Sequence, residues 1–246
     1  MKRIMLRVAY DGTNYCGWQV QPNQPTIEGE LNKALTSLLK EEIKVIGASR
    51  TDSGVHSLGN VAVFDTNSPI PPHKICFALN QRLPEDIRVQ SSMEVASDFH
   101  PRHCDTRKTY CYSIQNSMVA MPTTRLYSYF VHNSLDVEKM QEAANYLVGT
   151  HDFKSFCSIY TTVEDTVRTI YQVEVKKEQD QIKILIKGNG FLYNMVRIIA
   201  GTLLQVGYGR MEPEKMKEIL AGKDRVLAGP TAPAHGLMLM EIEYLD

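Results

Sequence analysis

Thr109-Tyr110-Cys111-Tyr112-Ser113-Ile114 sets Tyr110, Tyr112 and Ile114 on one side of an extended chain. Alternation of this kind marks a half-buried strand. The segment matters because an order of elements begins again here. The first pass opens on residues 3–10, with Ile4, Leu6 and Val8 on one face and Arg3 and Arg7 on the other. After a loop containing Gly and Pro, Ile27, Leu31, Ala34, Leu35, Leu38 and Leu39 recur at helical spacing. Thr26 suits the N-cap, and Glu28 and Glu30 suit the positive end of that helix. Residues 44–49 and 60–65 read as short strands around the turn composition Thr51-Asp52-Ser53-Gly54. A helix over about 72–81 and a strand from Ile87 to Val95 complete the pass.

Beyond Ile114, Val137, Met140, Ala144, Leu147 and Val148 predict a helix closed by Gly149. Val167 to Val175 and Ile182 to Ile186 read as a hairpin around Glu178-Gln179-Asp180-Gln181. Residues 191–206 predict a helix apolar on nearly all sides, and a last strand runs near 237–244. Strand–helix–strand–strand order therefore occurs twice, with a change near residue 100. The expected fold is α+β: two similar halves, each an antiparallel sheet with helices on one face, joined across a central basic cleft. The expected domains are 1–103 and 104–246. The likeness is one of element order, without a residue-level repeat.

Composition bounds the function loosely. Of 246 residues, 43% are hydrophobic and 22% charged, the balance of an ordinary globular protein. No apolar run is long enough for a membrane span, and Met1-Lys2-Arg3-Ile4 lacks the apolar stretch of a signal peptide, so a cytoplasmic location is expected. The five cysteines are scattered without a Cys-x-x-Cys pair, which disfavours a disulfide framework or a thiolate zinc site and favours reduced thiols. Net charge is −1. Such neutrality argues mildly against a polyanion partner, yet local clusters decide that question. Basic groups gather at Arg102-His103 and Arg107-Lys108, with single arginines at Arg50, Arg168, Arg197 and Arg210; Glu241, Glu243 and Asp246 lie apart from them.

Four segments could carry chemistry. Ser49-Arg50-Thr51-Asp52-Ser53-Gly54-Val55-His56 has ordinary turn composition; the alternative is a catalytic carboxylate flanked by Arg50 and His56. Arg197 sits among Met195, Val196, Ile198 and Ile199, where a buried guanidinium must find a partner. That partner is either structural or a catalytic carboxylate that the cation keeps ionised. Arg107-Lys108-Thr109-Tyr110-Cys111-Tyr112 puts cations beside alternating aromatics, which suits stacked bases and phosphates, or plain sheet packing. His100-Pro101-Arg102-His103-Cys104 reads as a basic loop rather than a metal site. A dinucleotide glycine motif, a phosphate loop and a Gly-x-Ser-x-Gly elbow are all missing, so cofactor-free chemistry is expected.

Taken together, these segments resemble the tRNA pseudouridine synthase A family (TruA). The resemblance rests on Tyr10-Asp11-Gly12-Thr13-Asn14-Tyr15-Cys16-Gly17-Trp18-Gln19, on Arg50-Thr51-Asp52-x-Gly54-Val55-His56 and on Lys108-Thr109-Tyr110-Cys111-Tyr112. It continues in Gly188-Asn189-Gly190-Phe191-Leu192-Tyr193-Asn194-Met195-Val196-Arg197 and in Ala228-Gly229-x-Thr231-Ala232-Pro233-Ala234-x-Gly236-Leu237. The motifs occur in order over nearly the whole chain. The resemblance implies a uridine isomerase acting without cofactor or metal on the anticodon stem-loop of tRNA, as a homodimer. Asp52 would be the essential aspartate, Arg197 its cation, and Tyr110 the ring stacked on the target base. Arg50, His56 and Leu237 would contact the target nucleotide, and Arg102, Arg107, Lys108 and Arg168 the rest of the RNA. Ser53 and Ser57 stand where the family often has Ala, and Cys111 where a basic residue is common. The rival readings are an RNA-binding protein without catalysis, a sugar hydrolase using Asp11 and Asp52, and a structural interaction protein. The hydrolase needs two carboxyl groups flanking one bond.

Overall fold

The computed structural model describes residues 1–161 and 163–245, so Asp246 of the acidic set lies outside the described residues. The chain forms two compact units, one of Met1–Asp105 with Leu239–Asp246 and one of Thr106–Met238. In order along the chain, the first holds β1 (Lys2–Tyr10), α1 (Ile27–Leu39), β2 (Ile46–Gly47), β3 (His56–Thr66), α2 (Pro72–Asn80) and β4 (Ile87–Val95). The second holds β5 (Thr106–Asn116), β6 (Tyr129–Val131), α3 (Val137–Asn145), β7 (Gly149–Asp152), β8 (Val167–Glu178), β9 (Gln181–Gly188), α4 (Met195–Gly207) and α5 (Lys215–Gly222). The strand β10 (Leu237–Tyr244) carries the chain back into the first unit.

In the first unit β1 lies between β4 and β3, antiparallel to both, and β10 adjoins β3. The expected alternation places Ile4, Leu6 and Val8 on the face that meets Ile27, Leu31 and Leu35 of α1 and Ile75 and Leu79 of α2. Burying each such aliphatic side chain is worth about 1.5–3 kcal/mol. Helix α1 starts where its cap requires, with Thr26 accepting from the Gly29 amide. Its end was not readable, because Lys40 takes a left-handed conformation usually left to glycine. The strand expected over 44–49 shrinks to two residues. Ile43 and Val45 do point inward, but their amides are taken by Thr36 Oγ1 (3.1 Å) and Asn32 Oδ1 (2.8 Å) of α1, which leaves no ladder to form.

The second unit orders its strands β5-β9-β8-β7, antiparallel throughout that row, while β6 runs parallel to β5. The predicted hairpin turns at Gln179-Asp180, with Glu178 opposite Gln181 and Gln179 left-handed at φ 55°. Helix α3 packs on β8 and α4, and α4 packs on β5. Gly149 does not close α3. That helix ends in tight bonds from Tyr146 to Ala143 and from Leu147 to Ala144, and Gly149 opens β7 instead. Likewise the helix expected from 191 begins at Met195, since Asn194 sits at φ 61° and cannot continue a helix backward. No helix among the described residues is long and apolar enough to cross a membrane.

Arg3 and Asp65 stand opposite each other on β1 and β3 and make a two-pronged pair at 2.8 and 2.7 Å. The guanidinium bonds hold the Asp65 carboxyl below its ordinary value. A carboxyl lowered in the folded state stabilises above its unfolded value, and loses that effect as pH falls through the folded one. Asp65→Asn is therefore expected to lower Tm by about 1–3 °C near neutrality, for a pair this exposed. Thermal scans should show the difference shrinking below about pH 4; a constant difference down to about pH 2 would assign it to something other than charge.

Candidate active site

Asp52 lies in the loop between β2 and β3, its side chain half-buried beside the exposed Ser53. This loop is fastened to residues 10–18 mostly through main chain. The Trp18 amide donates to Thr51 O (3.1 Å), the Gly54 amide to Tyr15 O (3.3 Å), and Ser53 Oγ to the same carbonyl (3.1 Å). Within the loop, the Val55 amide closes a turn on Asp52 O (3.2 Å). Gly17 takes φ +89°, and a methyl there would lie 2.7 Å from Thr51 O. Only glycine allows both the conformation and the approach. Trp18, 2% exposed, anchors the residue 10–18 segment of this clamp in the core.

His56 is 1% exposed. Its Nδ1 lies 3.1 Å from the Gly12 amide and 3.1 Å from Asp11 Oδ1. One nitrogen cannot accept from the amide and donate to the carboxylate together. The amide can only donate, so Nδ1 serves as its acceptor. Through Nδ1, His56, expected against the substrate, also fastens the loop to Gly12. Asp11, the second carboxylate of the hydrolase reading, is engaged in its own turn, accepting from the Thr13 amide (3.0 Å) and hydroxyl (2.5 Å).

Arg50 and Arg102 are both exposed, and Arg102 is near enough to Arg50 to feel its charge. Burial first, then Arg50, pushes the Arg102 guanidinium down, while Glu28 opposes them. Two cations in one neighbourhood favour an anionic partner. His100 and His103 stack at 3.7 Å in the same loop, and among the described residues no metal-holding group of His, Cys, Asp and Glu occurs.

In the second unit Tyr110 is 8% exposed and meets Phe191 edge-on at 5.1 Å, while Lys108 pairs with Gly188 on the same strands. Arg107 points to the opposite face and lies over the Tyr171 ring at 5.2 Å. Arg168 donates to Asp165 O (3.1 Å) at the start of β8. Arg197, in the first turn of α4, donates from Nε to Ala232 O (2.8 Å) and from Nη1 to Asn194 Oδ1 (2.9 Å). The Ala232 amide returns a bond to Arg197 O (3.1 Å). Leu237, 5% exposed, follows a turn that Tyr112 fixes through its hydroxyl to Pro233 O (2.9 Å). The departures at Ser57 and Cys111 are buried: Ser57 Oγ accepts from the Gly59 and Asn60 amides, and burial raises the Cys111 thiol.

The individual fastenings were not legible in advance. Tyr15, for instance, donates to Asp86 Oδ1 at 2.6 Å, a partner 71 residues away that no local pattern reveals. Two substitutions test the clamp. Gly17→Ala is expected to cost about 1–3 kcal/mol in urea unfolding. By contrast, Ser49 Oγ is the buried side-chain oxygen that lacks a partner among the described residues. Ser49→Ala is therefore expected to unfold at the parent's temperature or above it, since no bond is lost.

Known proteins resemble this chain along its length. A family model described as tRNA pseudouridine synthase matches residues 7–103 and 143–245. The tRNA pseudouridine synthase A of Brevibacillus brevis is 50% identical over 244 residues, covering 99% of this chain and 100% of its own. Its counterpart in Thermoanaerobacter sp. and the tRNA pseudouridine synthase A 2 of Clostridium perfringens are each 48% identical, again over 99% of this chain and all of theirs. By a family match to most of its length and by relatives near half identical from end to end, the chain belongs to the tRNA pseudouridine synthase family, whose members are isomerases.

Proposed function

We propose that this tRNA pseudouridine synthase acts on uridines of the anticodon stem-loop, with Asp52 as its reacting carboxylate and without a cofactor. The observation that supports this most is the clamp at Gly17 and Thr51, which holds a half-buried carboxylate on an otherwise fixed loop. Turn chemistry alone has no need of such a fastening. Isomerisation breaks the N1–C1′ bond, turns the freed uracil and joins C5 to C1′. A paired uridine must first leave its stack, at a cost of a few kcal/mol. Stacking on Tyr110 would return about 1–3 kcal/mol of that. Phosphate contacts from Arg50, Arg102, Arg107, Lys108 and Arg168 would supply more, in a salt-dependent way.

Arg197 supplies the cation that an ionised carboxylate needs in a site emptied of water, and Leu237 an apolar wall for the base. Bonds from Arg197 to Ala232 O and Asn194 Oδ1 hold the guanidinium plane, so less entropy is lost when it acts. A homodimer working in the cytoplasm completes the reading.

Release of hydrogen from C5 of labelled uridine in tRNA tests the chemistry directly. Asp52→Asn is expected to reduce release to background while tRNA affinity stays within about threefold, because phosphate contacts lie on other residues. Retained turnover would remove Asp52 from the reaction. Tyr110→Phe keeps the ring and loses the hydroxyl; turnover equal to the parent's would confine Tyr110 to stacking and packing.

A further inference from the structure

Asn60 is a wholly buried amide on the core face of β3, opposite Val8 of β1. Its neighbours on that face, Ala62 and Phe64, are apolar. An amide in such a place is costly unless every donor and acceptor is used. All of them are. Nδ2 donates to Ser49 O (3.0 Å) and to the Tyr10 hydroxyl (3.3 Å), while Oδ1 accepts from the Ser49 amide (3.3 Å) and from its own neighbour Val61 (2.9 Å). The side chain thereby grips both the N–H and the C=O of Ser49, as a strand partner would, directly ahead of Arg50-Thr51-Asp52. Reversing the amide would set its NH2 group against two N–H donors, so its orientation is fixed by the network.

The bonds continue toward the carboxylate. Tyr10 receives a hydrogen bond from Asn60 and shares another with Thr51 Oγ1, 2.8 Å away, in which either hydroxyl can donate. Thr51 is 7% exposed and adjoins Asp52. Burial pushes the Tyr10 hydroxyl up to about 12, so the phenol stays protonated within the network. None of these groups needs to meet the RNA.

We infer that Asn60, Tyr10 and Thr51 are positioning residues for Asp52: a buried relay that sets the height and direction of the carboxylate relative to the sheet. The inference rests on the proposed role of Asp52. Misplacing a reacting group by about 1 Å costs on the order of 100-fold in rate, without a matching loss of binding. The relay should therefore appear in kcat rather than in KM.

The test is steady-state C5-hydrogen release with full-length protein, using Tyr10→Phe, Thr51→Val, Thr51→Ser and Asp52→Asn, each checked for folding by circular dichroism and thermal scan. Tyr10→Phe and Thr51→Val preserve shape and delete one hydroxyl each. The expected result is a fall in kcat of about 10- to 100-fold for both, with KM for tRNA within about threefold, and recovery to near the parent value in Thr51→Ser. The double variant Tyr10→Phe/Thr51→Val should be no slower than the worse single one, as for two ends of one bond. Folded Tyr10→Phe and Thr51→Val proteins with parental kcat, beside an inactive Asp52→Asn, would overturn the relay and leave the role of Asp52 standing. Turnover retained by Asp52→Asn would overturn the role of Asp52 itself, and the relay with it.

Discussion

The contact between Gly17 and Thr51 governs the first unit more than any single side chain does. Two stretches of main chain approach there until a methyl group no longer fits. Such proximity lets ordinary backbone bonds, at about 1 kcal/mol each, act together across the loop. It also explains why the opening motif is so long. Tyr10, Gly12, Tyr15, Gly17 and Trp18 each hold a different point of residues 49–56 or of the core beneath them. A carboxylate fastened through main chain has few ways to swing, and reaction rates depend steeply on such orientation.

The second unit solves its own positioning problem by the same physics. In α4 a methyl on Gly201 would stand 1.7 Å from Pro230 O, so the loop of residues 228–236 lies directly on the helix backbone. Thr202 Oγ1 accepts from the Gly229 amide (2.9 Å), and Arg197 joins the same loop in both directions through Ala232. Ala232 O and Asn194 Oδ1 are neutral acceptors on the same unit, and they orient the guanidinium plane.

Much of the fold was legible because its signals are periodic. The start of α1 and the bounds of β4 and β10 follow from spacing, a cap and alternation, all of which are local. What escaped were short or irregular pieces. Strands of three and four residues, β6 and β7, carry too little alternation to be read. Left-handed Lys40 and Asn194 end or start helices without glycine, and side chains of α1 take the amides that would have lengthened β2. Among the candidate site residues, Asp52 and Arg197 stood out by type and setting. Asn60 did not, because its importance lies in hydrogen bonds to Ser49 and Tyr10, which folding brings to it, and a lone Asn in a strand gives no sign of them.

The return of β10 to the first unit has a consequence for biosynthesis. Residues 106–238 are contiguous, whereas the first unit needs residues from both ends of the chain. As the ribosome works from the N-terminus, the middle of the protein can make most of its internal contacts while the earlier unit still lacks a strand. The edge of β3 that β10 will occupy stays open during that interval, for a time set by the translation of more than half the polypeptide. Arg7, which meets Glu241 of the late strand at 3.8 Å, leaves a positive charge beside that waiting edge, and charge of this kind discourages premature pairing with foreign strands.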